Sequence, residues 1–222
     1  MSQDQPFNPL EYEHLGRSVA DAMLSRPRIR LNALDPFAGA GVYAIYYDGD
    51  FPSYAHLAEF NLHDEIGIPI YVGKAIPSGG RKGDRITNNA GQSLFRRLSE
   101  HATSITQADN LRIDDFSCRY LVVEDIWIPL GESLLIGRFR PLWNILVDGF
   151  GNHDPGARRY TGMKPMWDTI HPGRLWASRL QPNRRTADEI FELVGQSLGG
   201  AAVDTLAPED QQKEADSDAD NA

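Results

Sequence analysis

The sequence predicts an α+β fold, a small central sheet flanked by helices. Three observations lead there. The runs GVYAIYY (41–47) and IPIYVGK (68–74) are aromatic and β-branched and bounded by Gly or Pro, as strands are. Other stretches carry apolar residues at helical spacing between polar loops. The 222 residues are 41% hydrophobic and 24% charged, enough for one sizeable core with extensions.

Residues 8–26 predict the first helix. Asn8 suits its N-cap, Pro9 the first helical position, and Glu11 a side chain that reaches back to the cap. Leu15, Val19 and Met23 form its buried stripe, and Pro27 ends it. The two strands come next, separated by a long insertion at 48–67 that reads as partly helical. Residues 77–91, PSGGRKGDRITNNAG, form a polar, Gly-rich, basic loop. Residues 92–104 predict a helix with Leu94, Phe95 and Leu98 inward, residues 116–124 a third strand, and residues 131–139 a helix that Pro141 stops. From 149 to 185 the chain is rich in Gly, Pro, Arg and Trp without a period, and reads as an irregular arm. A last helix begins at Thr186, which forms a T-x-x-E capping box with Glu189. The expected organisation is a helical extension (1–35), a core (36–148), an arm with the final helix (149–199) and an acidic, solvated tail (200–222).

The net charge of −9 hides a strong asymmetry. Residues 1–73 carry 4 basic and 10 acidic groups, residues 74–185 carry 17 and 11, and residues 186–222 carry 1 and 10. A basic middle permits a nucleic-acid partner, because phosphates respond to local potential and not to the total. No apolar run approaches the ~18 residues of a membrane span, and the N-terminus has no signal pattern, so a cytoplasmic protein is expected. The single Cys118 excludes an internal disulfide and a Cys-clustered zinc site, and reads as a small buried residue.

Several motifs fail on inspection. Gly39, Gly41 and Ala44 match G-x-G-x-x-A, and DPFAGAG resembles the cofactor loop of DNA amino-methyltransferases. The chain has no Pro-Pro pair for the second motif of those enzymes, and the residues after Gly41 are strand-like. Gly67 to Gly73 has the wrong spacing for a phosphate loop, and Ala75 stands where a hydroxyl is needed. His56 and His63 are seven apart, wrong for a zinc helix, and read as ordinary surface histidines.

The chemistry rests on an ordered set of residues. Gly41-Val42-Tyr43 and Tyr71-Val72-Gly73 lie in the two strands; Arg97 and His101 share one face of the next helix; Glu132 and Asn144 come after it. In that order the sequence resembles the GIY-YIG nuclease family over about residues 40–145, with Val for Ile in both tripeptides. The histidine one turn after the arginine, and the extension GFGNHDPGARR (149–159), resemble its type II restriction endonucleases. One departure is the spacing: 27 residues separate Tyr43 from Tyr71, where the family usually has about ten. Strand pairing survives this, because loop length costs only logarithmically.

The resemblance implies a mostly antiparallel sheet and Mg²⁺-dependent hydrolysis of double-stranded DNA, with Mn²⁺ able to substitute. Tyr43 would deprotonate the attacking water, aided by His101, and Tyr71 would orient the site. Arg97 suits the phosphate, since its guanidinium is always charged and can grip with two donors. Glu132 suits a single Mg²⁺, which accepts one or two carboxylates and keeps its waters. Asn144 would position the metal ligand or a neighbouring strand. Lys74 either contacts the scissile phosphate or points to solvent. Arg81, Lys82 and Arg85 in the loop, and Arg158, Arg159, Lys164, Arg174 and Arg179 in the arm, are candidate DNA contacts. The subgroup includes enzymes that recognise CCGCGG, so a GC-rich palindrome, a homodimer and a protecting methyltransferase in the same system are expected.

Overall fold

The computed structural model describes residues 12–77 and 91–200. The cap residues Asn8, Pro9 and Glu11, the basic loop with Arg81, Lys82 and Arg85, and the acidic tail lie outside the described residues.

The chain runs α1 (Tyr12–Leu24), β1 (Ile29–Arg30), β2 (Gly41–Tyr47), α2 (Ala55–His63), β3 (Tyr71–Ala75), α3 (Ser93–Gln107), β4 (Phe116–Val122), α4 (Ile128–Phe139), α5 (Leu142–Ile145), α6 (Met166–Ile170) and α7 (Ala187–Gly200). Both tripeptides fall in strands, and the third strand, α4 and α7 lie where the patterns put them, whereas the short helices α5 and α6 were not expected. The sequence reading did not assign β1, which is only two residues long. The four strands pair antiparallel in the order β1-β4-β2-β3. β2 and β3 pair directly despite the insertion between them. The chain after Gly41 forms a strand and not a helix, so the G-x-G-x-x-A spacing there opens no cofactor-binding helix.

β2 is the centre, and all seven of its residues are buried. Its alternating side chains feed two cores. Val42, Ala44 and Tyr46 pack with residues of α1 and α4, among them Met23, Ile128 and Leu135. Tyr43, Ile45 and Tyr47 pack on the other face with α2, α3, α5, α6 and α7. Cys118 is buried beside Ile45 in the pairing of β4 with β2, and burial pushes its thiol up to about 12. His56 and His63 are exposed on α2.

The segment 149–185, expected as an arm, is instead part of this core. It is irregular in its backbone, yet Phe150, Trp167 and Ile170 belong to the same cluster as Tyr43. So do Tyr54 and Leu57 of the insertion, and Ile190 and Val194 of α7. The capping box at the head of α7 forms as read: Thr186 N–H donates to Glu189 Oε2 at 2.7 Å, and Glu189 N–H to Thr186 Oγ1 at 3.3 Å.

Deep in this layer lies a sealed tyrosine–histidine pair. Tyr54 Oη is 2.6 Å from His171 Nε2, and both side chains are fully buried. Trp143 Nε1 donates to Tyr54 Oη at 3.1 Å, and His171 Nδ1 meets Asn110 Oδ1 at 2.9 Å. Asn110 anchors itself by donating to Ile170 O at 2.8 Å. The Asn110 oxygen can only accept, so Nδ1 bears the ring proton and Nε2 receives the phenol proton.

Candidate active site

A second tyrosine–histidine pair lies where β2 and β3 meet α3. Tyr43 stands opposite Gly73 in the strand register. A Cβ at Gly73 would lie 2.4 Å from Tyr43 Oη and 3.0 Å from the Tyr71 ring. The glycine of the second tripeptide is therefore what lets the Tyr43 hydroxyl lie over β3. The Tyr43 and Tyr71 rings come within 6.3 Å.

α3 presents Leu94, Leu98, His101 and Ile105 as one buried stripe, so His101 occupies a position that the helix otherwise gives to apolar residues. Its Nε2 lies 2.6 Å from Tyr43 Oη. Its ring stacks on Phe150 at 4.6 Å and 18°, and meets Tyr71 edge-on at 5.1 Å. One turn earlier, Arg97 is only 22% exposed and held from three sides. It donates to Gly151 O at 2.9 Å, to Glu100 Oε2 at 3.2 Å and to His153 Nε2 at 2.5 Å. Neighbouring Arg96 is 64% exposed and has only a 3.9 Å approach to Glu100.

Glu132, on α4, reaches the group from the far face of the sheet. Its Oε2 is 2.6 Å from Lys74 Nζ. Lys74, whose side chain is 34% exposed, thus pairs with the glutamate. Asn144, in α5, holds β3 itself. Its Oδ1 accepts from Val72 N–H and its Nδ2 donates to Val72 O, both at 2.8 Å. The side-chain amide thus does for Val72 what a neighbouring strand would do.

Burial raises the Tyr43 phenol far above its ordinary range, nearby Tyr71 adds to the rise, and Arg97 opposes it. Tyr71 is raised by burial in the same way, again opposed by Arg97. His101 is pushed well below the usual imidazole range by burial, then by the charges of Arg97, His153 and Arg174. The resting site therefore holds two protonated phenols and a neutral imidazole at neutral pH.

Among the described residues, no three His, Cys, Asp or Glu converge as a cation cage. Glu132 nevertheless suits a hard divalent ion that takes one carboxylate and keeps several waters. The Lys74 ammonium on its Oε2 shows that this carboxylate already draws a cation.

The structure brings Tyr43, Tyr71, Arg97 and His101 together and places Lys74, Glu132 and Asn144 around β3. Arg158 and Arg159 are exposed on a short 3-10 turn, Lys164 is half-buried, and Arg179 donates to Tyr160 Oη at 3.0 Å. Arg174 is a correction. The sequence places it on DNA, but it is 2% exposed and paired with Asp168 inside the core, so it has no donor to offer a phosphate. Sequence reasoning also missed Glu100, Phe150, Gly151 and His153. Phe150, Gly151 and His153 stand in the run GFGNHD, which has no period to point at Arg97 more than 50 residues earlier.

A family model described as the Eco29kI GIY-YIG domain matches residues 35–198, from before β2 almost to the end of α7. No curated protein matches the chain.

Proposed function

Since the chain belongs to the Eco29kI GIY-YIG family, and is thus a restriction endonuclease of GIY-YIG type that hydrolyses DNA, we propose that it is a type II enzyme with Tyr43 as general base. The observation that carries the reading is the 2.6 Å contact of Tyr43 Oη with His101 Nε2 beside the clamped Arg97 guanidinium.

The phenol donates to Nε2 when the ring proton sits on Nδ1. Tyr43 then takes a proton from the attacking water while its own passes to His101. The water oxygen attacks phosphorus, the bond to the leaving deoxyribose oxygen breaks, and that oxygen takes a proton from solvent. A neutral buried imidazole is a weak reservoir, but the arriving phosphate brings negative charge that raises its proton affinity. Arg97 faces the same charge with a guanidinium that is already oriented, so no reorganisation is needed as charge develops. Tyr71 shapes the other side of the phosphate site. Glu132 would hold one Mg²⁺, or Mn²⁺ in its place, and the ion would supply positive charge for the phosphate and the leaving oxygen. Lys74 would hand Glu132 over and turn to the phosphate.

Arginine richness in the basic middle supports a GC-rich site, because bidentate arginine–guanine contacts are the commonest specific ones. Arg158, Arg159 and the loop arginines Arg81 and Arg85 are the readers we favour. A palindromic site calls for two copies of the chain, and a protecting methyltransferase accompanies such an enzyme. The test is digestion of a fully sequenced phage DNA with Mg²⁺, with EDTA, and with Tyr43→Phe. Discrete Mg²⁺-dependent fragments that vanish in the variant are expected, and their ends map the site. A smear would point to an unspecific or structure-specific nuclease of the same fold.

A further inference from the structure

Building on that active site, we propose that the buried Asp168–Arg174 pair is its positioning element: it fixes the loop 149–152 so that Gly151 holds Arg97 and Phe150 holds His101. Arg174 uses all five N–H groups. Nε donates to Asp168 Oδ1 at 2.6 Å; Nη2 donates to Asp168 Oδ2 at 2.5 Å and to Gly149 O at 2.9 Å. Nη1 donates to Phe150 O and to Asn152 O, both at 3.1 Å. The guanidinium packs on the indoles of Trp167 and Trp176, 4.5 and 4.7 Å from their centres.

Four successive carbonyls are thus divided between two arginines. Those of 149, 150 and 152 go to Arg174, and that of 151 goes to Arg97. The loop also lays Phe150 flat on His101. A Cβ at 151 would lie 2.8 Å from Tyr71 Oη and 3.0 Å from Arg97 Nη2, so a side chain there would push the ends of those two residues aside. A buried ion pair is a poor device for stability, because apolar residues of similar volume do as well or better. A planar fork with five fixed directions is a good device for holding a loop, and a lysine cannot reproduce it. The Arg174 charge also helps to keep His101 neutral. Asp168 and Arg174 are buried, and they act through this loop and through the charge of Arg174 on His101.

The test is Arg174→Lys beside the wild-type chain. Four readouts are taken: the near-UV spectrum, single-turnover cleavage of a fragment carrying the wild-type site, affinity for that fragment in Ca²⁺, and the guanidinium NMR signals of Arg97. We expect a folded protein, affinity within about threefold, a cleavage rate lower by about 100-fold, and Arg97 signals averaged by free rotation. Wild-type cleavage with rigid Arg97 signals would overturn the proposal, as would a rate loss matched by equal loss of affinity. If Arg174→Lys does not fold, Gly151→Ala decides. It meets only the flexible ends of Tyr71 and Arg97, so it should keep its melting temperature and lose cleavage; full cleavage would overturn the clamp. A wild-type chain that cuts no DNA would sink the nuclease reading, while the Arg97 signals of the variant would still decide the positioning role.

Discussion

The molecule contains the same chemical pair twice. Tyr43–His101 and Tyr54–His171 each join a buried phenol to an imidazole Nε2 at 2.6 Å. Burial keeps both phenols protonated and both imidazoles neutral. Their surroundings differ. Around Tyr54 stand Trp143 and Phe51, around His171 stand Trp167 and Asn110, and every polar atom of the pair has a neutral partner. Around Tyr43 stand Arg97 and Tyr71, with the charge of Glu132 also reaching it. A tyrosine–histidine contact is therefore not a catalytic signature by itself. What sets the Tyr43 pair apart is the fixed charge beside it.

Four experiments break or sharpen that contrast. The largest effect is on cleavage: Tyr43→Phe should lose about 10²–10⁴-fold in single-turnover rate, whereas Tyr54→Phe should cut DNA at nearly the wild-type rate. Equal loss in both would erase the distinction. Stability should follow the number of buried partners left unpaired, and Tyr43→Phe strands His101 Nε2. Tyr54→Phe strands Trp143 Nε1 and His171 Nε2 in the core, at roughly 1–3 kcal/mol for each group, read from urea unfolding at pH 7.

Acid should treat the pairs alike. His171 is held down to about 3 by burial, so the unfolded chain binds its proton first as pH falls. Its contribution is complete above its free value of 6.5 and is lost progressively below it, by about 1.4 kcal/mol per pH unit down towards 3. His101 works in the same direction. His101→Gln and His171→Gln should each remove close to one proton from the slope of stability against pH, while only the first costs cleavage. An unchanged slope in His171→Gln would show that the imidazole is not kept neutral.

The smallest effect concerns the helix over the sealed pair. Phe191 of α7 contacts Phe51, which packs on Tyr54 and His171. Thr186→Ala removes the cap of α7 and should cost about 1 kcal/mol, with cleavage unchanged. A drop in cleavage would mean that the two regions are coupled.

The strands and main helices were legible because their signals are local: the aromatic, β-branched run GVYAIYY, the four-residue spacing of Leu15, Val19 and Met23 in α1, a capping box at Thr186. The candidate site residues could be read only as an ordered set matching a family, and the fold gathers that set around β2 and β3. The sealed pair was not legible, because its partners are 117 residues apart and His171 lies in a run without period. Arg174 was misread for a related reason. An arginine in an irregular, Gly- and Pro-rich segment reads as exposed, and nothing local reports five donors turned inward. Trp167 and Trp176 on either side were the hint, since bulky indoles seldom cluster where a chain is fully solvated.

The Asn144 amide has a consequence for assembly. By occupying both backbone groups of Val72 it leaves β3 closed to strand addition at that residue, and the charged Lys74 comes next but one. At the opposite margin, β1 offers only two residues. Neither margin can template an intermolecular ladder, the usual route by which exposed strands aggregate.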